Sequence, residues 1–151
     1  MPGDIVDPTT RSRIMASIKG KNTAPEMTVR KGLHALGFRY RLHERKLPGR
    51  PDIILPKWQA TIFVHGCFWH GHDCPMFRLP QSRQDFWAAK IKRNQERDKE
   101  VEIALSHAGW RILKIWECAL KGNRRIGKDA TISRAVEWLK SDEKMGEIRG
   151  I

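Results

Sequence analysis

Residues 51–74 read PDIILPKWQATIFVHGCFWHGHDC, and the punctuation of this stretch decides the architecture. DIIL (52–55) and ATIFVH (60–65) are short, apolar and β-branched. They are too brief for helices and flank Pro56–Lys57, so they read as two buried strands joined by a turn. After His65, glycines at 66 and 71 and prolines at 75 and 80 break any periodicity, which predicts an irregular segment from Gly66 to Gln84. Upstream, Asn22 or Thr23 caps a helix with Pro25 and Glu26 in its first turn. Val29, Leu33 and Leu36 give that helix one apolar stripe, and Gly37 stops it. FRYRL (38–42) alternates like a strand, and LPGRP (47–51) is a turn by composition. Downstream, a long helix covers Asp85 to His107 and ends before Gly109. WRILKIW (110–116) is a strand, and Ile132, Val136 and Leu139 mark a last helix that begins near Asp129. The order helix, three strands, helix, strand, helix predicts a mixed α/β domain with helices on a small sheet.

The 151 residues suit one compact domain, over 23–151, preceded by a basic arm at 1–22. There are 29 basic and 17 acidic side chains, a net charge of +12, which points to a polyanionic partner. Residues 1–50 carry +7 of that surplus, close to a stretch from Thr9 to Thr23 with little core pattern. A flexible arm there would track a phosphate backbone and release counterions; the plainer alternative is a solvated tail. No apolar run approaches the roughly 18 residues of a membrane span. MPGDIVDPTTRSR lacks the apolar core of an export signal. Three cysteines cannot all pair, which argues against a secreted disulfide scaffold. The expectation is a soluble, intracellular, basic domain with a polyanionic partner and no membrane partner.

Three histidines and two cysteines crowd into HGCFWHGHDC (65–74), and Cys118 follows the strand at 110–116. Cys67, His72, Cys74 and Cys118 make a Cys3His set that suits structural Zn2+, with His70 and His65 competing for the place of His72. With four protein ligands such a zinc has no open position, so the chemistry belongs elsewhere. The bland alternative is three inert buried thiols.

Asp52 opens a buried apolar strand, where a carboxylate is costly unless it binds something, although after a proline it also suits a turn. If the two strands are neighbours, Asp52 and His65 share one rim of the sheet with the Val64 carbonyl between them. An acid, a carbonyl, waters and phosphate oxygens suit Mg2+, which activates water and stabilises charge on a scissile phosphate. A neighbouring histidine would move the proton. Phe68 and Trp69 are adjacent aromatics inside the loop that zinc would stiffen. Such a pair can insert into a base stack, unless it fills the core.

RPDIILP, FVHGCFWHGHDC, NQERD and WRILKIWECAL, with TRSRIM and LPGRPD, make the chain resemble the very-short-patch-repair (Vsr) DNA mismatch endonucleases from Thr9 to Trp138. The resemblance implies a restriction-endonuclease-like fold, a variant of the PD-(D/E)xK core. In it Asp52 is the acid of the PD pair and the principal Mg2+ ligand, and the Val64 carbonyl is a second ligand. His65 stands where the usual motif has Lys, and Phe63 where it has the second acid. His70 is implied as general acid or base, Glu26 as an acid holding metal-bound water, and Asp98 as part of the outer shell. The family zinc falls on Cys67, His72, Cys74 and Cys118. Trp87 aligns with a third wedge aromatic, although it also shares helical spacing with Ile91 and Val101. Arg11, Ser12, Arg13 and Met15 match an arm that reaches around DNA from the opposite groove. Lys90 and Asn94 would meet the mismatch region or its phosphates.

The implied partner is double-stranded DNA with a T·G mismatch, the lesion left when 5-methylcytosine deaminates. The implied reaction is a nick 5′ of the mismatched thymine that leaves a 5′-phosphate. A monomer in the bacterial cytoplasm, at the nucleoid, suits a lone asymmetric nick, and a general mismatch-repair factor is a further partner by the same analogy. Two other classes compete. A non-catalytic zinc module binding mismatched or bent DNA would keep Phe68, Trp69 and the zinc set without needing Asp52. A zinc deaminase would need H-x-E with P-C-x-x-C, and the sequence has neither.

Overall fold

The structure, a computed structural model, describes residues 23–151. The proposed arm at 1–22, with Arg11, Ser12, Arg13 and Met15, and the alternative cap Asn22 lie outside the described residues. Helix α1 (Ala24–Ala35) starts at Thr23, whose hydroxyl accepts from the Glu26 N–H at 3.4 Å. Pro25 sits in the first turn, where its missing N–H leaves no bond unmade. Val29 and Leu33 are buried, but Leu36 caps the helix and is 60% exposed. The apolar stripe therefore ends a turn earlier than its spacing predicts, because the chain has already left the helical screw. Gly37 follows with φ +93°, a conformation that favours glycine.

Next come β1 (Arg41–Leu42), β2 (Ile53–Leu55), β3 (Ala60–His65), helix α2 (Gln84–His107), β4 (Arg111–Trp116), helix α3 (Lys128–Lys140) and β5 (Met145–Ile148). The sheet order is β1-β2-β3-β4-β5. The first three strands pair antiparallel, and β3–β4 and β4–β5 pair parallel across helical crossovers. Two expectations need correction. The strand foreseen at 38–42 shrinks to Arg41–Leu42, an exposed edge. The strand β5 was not foreseen, because only Ile148 of its four residues is buried and such an edge carries no apolar signature.

The strands of the sheet's centre are covered on both sides, which is why β3 reads as a continuous apolar run. On one face α1 and α3 bring Val29, Leu33, Ile132, Ala135 and Leu139 against Ile53, Leu55, Ile62, Leu113 and Ile115. The two helices meet where Gly32 lies under Ile132; a Cβ there would come within 2.6 Å of its Cδ1. On the other face Leu105 and Val101 of α2 cover Phe63 and Ile112. The middle of α2 runs beside the irregular segment between β3 and α2.

Arg111 ties these layers together. Its guanidinium donates to the carbonyls of Trp58, Trp138, Leu139, Ser141 and Glu143 at 2.8–3.2 Å, and stacks over the Trp138 ring at 4.3 Å. The planar fork satisfies the end of α3 and the lead into β5 at once, which an ammonium cannot. Arg111→Lys should therefore lower stability by about 2–4 kcal/mol, read as a lower urea midpoint at unchanged slope.

Candidate active site

Because β2 and β3 are antiparallel, the start of β2 and the end of β3 share one rim. Asp52 immediately precedes β2, and its Oδ2 accepts from the Val64 N–H at 2.7 Å. Glu26, on α1, is 2% exposed, and its Oε2 accepts from His43 Nε2 at 2.8 Å and from Arg30 Nη1 at 3.3 Å. Ligand atoms of Glu26, His43 and Asp52 lie within 4.8 Å of one another. Burial pushes the Asp52 carboxyl up to about 7; the Val64 N–H pulls it down and the Glu26 carboxylate pushes it further up. Two acids side by side, Glu26 buried and Asp52 half-buried, need a proton or a cation between them. Their oxygen donors fit a hard divalent ion such as Mg2+.

Sequence reasoning missed His43. The register that pairs Leu42 with Ile53 puts His43 opposite Asp52, and its N–H reaches the Asp52 carbonyl at 3.5 Å. Aligning FRYRL against DIIL as antiparallel strands would have found it.

A second cluster lies at the same rim. His65 ends β3, is 7% exposed, and stacks on His70 with centroids 3.7 Å apart and planes at 5°. His70 Nδ1 is 2.6 Å from Oδ2 of Asp98 on α2. That pairing fixes Nδ1 as the protonated nitrogen and leaves Nε2 of His70 to exchange a proton. Burial above all, then the nearby His70 and Lys114, holds His65 well below the usual imidazole range, so it stays neutral. Its Nδ1 is buried with no hydrogen-bond partner among the described residues. Beside it a cavity of about 10 Å3, room for one water, is lined by Phe63, Asp98, Val101, Glu102 and Lys114.

The third cluster is Cys67, His72, Cys74 and Cys118, with ligand atoms within 4.8 Å of one another. His65 and His70, the competing histidines, group with Asp98 instead. His72 Nδ1 is 3.6 Å from both Cys67 Sγ and Cys118 Sγ. With Zn–S about 2.3 Å and Zn–N about 2.05 Å, the S–N edge of a tetrahedron is about 3.6 Å. His72 Nε2 lies 3.5 Å from Asp73 Oδ1 and 3.8 Å from Glu147 Oε1, which favours a proton there and a free lone pair on Nδ1. Burial raises the Cys67 and Cys118 thiols, and the Cys74 thiol adds to it at both. Only a bound cation would reverse that, and the donor set fits zinc. The Gly150 N–H donates to Cys118 Sγ at 3.3 Å, and Arg149 pairs with Asp73 at 2.6 Å, beside the negative charge that three metal-bound thiolates would bring.

Phe68 and Trp69 stand half-buried between these clusters, outside the three apolar cores. Their rings meet edge-on at 5.1 Å, and Trp87 joins them at 5.6 and 5.8 Å. One side of α2 holds this loop by its backbone. The Asn94 amide donates to the Trp69 carbonyl at 2.9 Å, and the Gln95 amide to the Gly71 carbonyl at 3.2 Å. Lys90 lies one helical turn before Asn94. Gly71, at φ +61°, lies too close to Ile91 and Gln95 to admit a Cβ.

Residues 3–76 match the family model described as DNA mismatch endonuclease Vsr. The chain is 40% identical to the DNA mismatch endonuclease Vsr of Escherichia coli (strain K12) over 136 residues, covering 90% of this chain and 87% of that protein. It is 48% identical over 117 residues to the type II nicking enzyme V.XorIIP of Xanthomonas oryzae pv. oryzae, covering 78% and 86%. It is 42% identical over 137 residues to the type II nicking enzyme V.NmeAIP of Neisseria meningitidis serogroup A, covering 91% and 96%.

The Cys3His cluster makes a specific demand. The purified protein should carry one zinc per chain by elemental analysis, and Cys118→Ser should lose it and melt at least about 5 °C lower.

Proposed function

Because the chain belongs to the DNA mismatch endonuclease Vsr family and is a DNA-hydrolysing endonuclease of very-short-patch repair, we propose that it nicks duplex DNA 5′ of the thymine in a T·G pair. The observation that carries the mechanism is the contact between Glu26 and Asp52, two acids within 4.8 Å of each other at the rim where β3 ends. Asp52 and the Val64 carbonyl would hold Mg2+, and Glu26 would orient water upon it. When bound, Mg2+ supplies Lewis-acid stabilisation of the scissile phosphate and a more acidic water. A non-catalytic DNA-binding module would leave this acid pair without a role.

The chain's own residues do the rest. His70, held at Nδ1 by Asp98, presents Nε2 as the group that accepts or delivers a proton. His65, neutral and stacked on it, keeps that ring in plane and is the second candidate for the transfer. Phe68, Trp69 and Trp87 form the wedge that enters the stack at the mismatch, where unstacking costs least. Lys90 takes phosphates or the mismatch edge. Asn94 acts by anchoring the wedge, as its bond to the Trp69 carbonyl supports. Cys67, His72, Cys74 and Cys118 hold structural zinc, and Arg11, Ser12 and Met15 form an arm on the far side of the DNA. The five-stranded mixed sheet with helices on both faces is compatible with a restriction-endonuclease-like core acting as a monomer. No helix among the described residues is long and apolar enough to cross a membrane, in keeping with a place in the bacterial cytoplasm at the nucleoid.

An end-labelled duplex with one T·G pair tests this. Nicking should require Mg2+, stop in EDTA, and be absent from the matched T·A duplex. Asp52→Asn should slow it by at least about 10²-fold while leaving binding intact. The sign of the pH dependence follows from Asp52: its raised pKa means that protons compete for the metal's oxygens as pH falls below about 7. The Mg2+ needed for half-maximal nicking should therefore climb as the pH drops from 8 to 6.

A further inference from the structure

We propose that His43 is a positioning residue for the acid pair: its Nε2–H donates to Glu26 and holds that carboxylate beside Asp52, so that a divalent cation meets two acids already in place. This rests on the metal reading of Glu26 and Asp52 given above and names a residue that reading does not use.

Glu26 is buried on a helix, and Asp52 sits at a strand end. Nothing in either element alone brings two mutually repelling carboxylates together. Two donors to Glu26 offset the repulsion. Arg30 reaches Glu26 Oε2 at 3.3 Å from one turn along the same helix, and His43 reaches the same oxygen at 2.8 Å from the end of β1. The shorter bond is the imidazole's. His43 is aimed there by its backbone, which takes φ +48° where β1 stops and keeps its N–H on the Asp52 carbonyl at 3.5 Å. A non-glycine residue in the left-handed region persists only where its surroundings hold it. The same residue thus touches Asp52 through its backbone and Glu26 through its ring. It is the bridge between α1 and the β1–β2 edge at the place where the cation would sit. A donor is what the geometry needs there, so a glutamine, whose amide nitrogen reaches about as far as Nε2, should replace the histidine, whereas an apolar side chain should not.

The experiment titrates Mg2+ in the T·G nicking reaction with the full chain and with His43→Leu and His43→Gln, alongside DNA affinity in EDTA and the melting temperature. His43→Leu should raise the Mg2+ concentration for half-maximal nicking about tenfold, the effect of losing one charge-assisted hydrogen bond. DNA affinity in EDTA should stay within about twofold, and His43→Gln should restore the Mg2+ dependence to within about threefold. If His43→Leu does not fold, the His43→Gln titration and a folded His43→Ala replace it, with the same thresholds. An unchanged Mg2+ requirement in the leucine or alanine variant overturns the proposal. So does a glutamine variant as impaired as the leucine one, since that makes the ring a filler rather than a donor. If the unsubstituted protein nicks without Mg2+, the metal reading itself is what has failed, and this proposal falls with it.

Discussion

The segment between β3 and α2 has no ladder of backbone bonds, yet it carries Phe68, Trp69, His70 and three members of the Cys3His cluster. On the metal reading, what holds it is Cys67, His72, Cys74 and Cys118, which converge within ligand distance of one another. A Gly- and Pro-rich loop of this kind loses much conformational entropy on ordering, and a metal bound by three thiols and an imidazole offsets that loss. The ring of His72 is packed flat on Trp116 at 3.8 Å, so β4 as well as the loop defines the site. At the far edge the two residues that follow β5, Arg149 and Gly150, reach Asp73 and Cys118. The strand that carried no apolar signature thus leads into the residues that border the cluster from outside.

From that anchor two consequences follow. Phe68 and Trp69 lie between Cys67 and His72, two of the proposed ligands, so they could not turn into the core without moving that cluster. His70 lies in the same interval and is drawn to Asp98 on the long helix. One loop therefore presents both the aromatic group that would part the bases and the imidazole that would move a proton, at a separation fixed by the chain. The acid pair approaches from the other side, from α1 and the start of β2. The sheet rim is where the two halves of the site meet, and Val64, bonded to Asp52 through its N–H, lies next to His65 in the chain.

Much of this was legible in the sequence. Strand β3 and the irregular stretch after it were set by β-branched runs and by glycines and prolines. Counting thiols and imidazoles pointed to a Cys/His cluster but left open which of His65, His70 and His72 joins it. The long helix fell within a residue of its expected start, since Gly109 ends it and its charged pattern needs no deep core. What stayed hidden were features that depend on pairing. β5 is an edge with one buried residue. His43 gains its role from register, not from its neighbours in the chain. Asp98 was expected around the metal and is found on His70, because a helix nearly all polar on its exposed sides gives no hint of which turn faces the loop. Likewise the Asn94 amide is directed to the Trp69 carbonyl, a contact that no periodicity encodes.

The central claim is that a metal-held loop keeps Phe68 and Trp69 outside the core, where they enter a base step at a weak pair. The most direct measurement is the fluorescence of 2-aminopurine placed beside the T·G pair, which brightens when its stacking is broken. Binding of the intact protein should raise it severalfold, binding of a folded Trp69→Ala chain much less, and a matched duplex should respond to neither. An equal rise with and without the Trp69 ring, or no rise on tight binding to the mismatch, would contradict the claim.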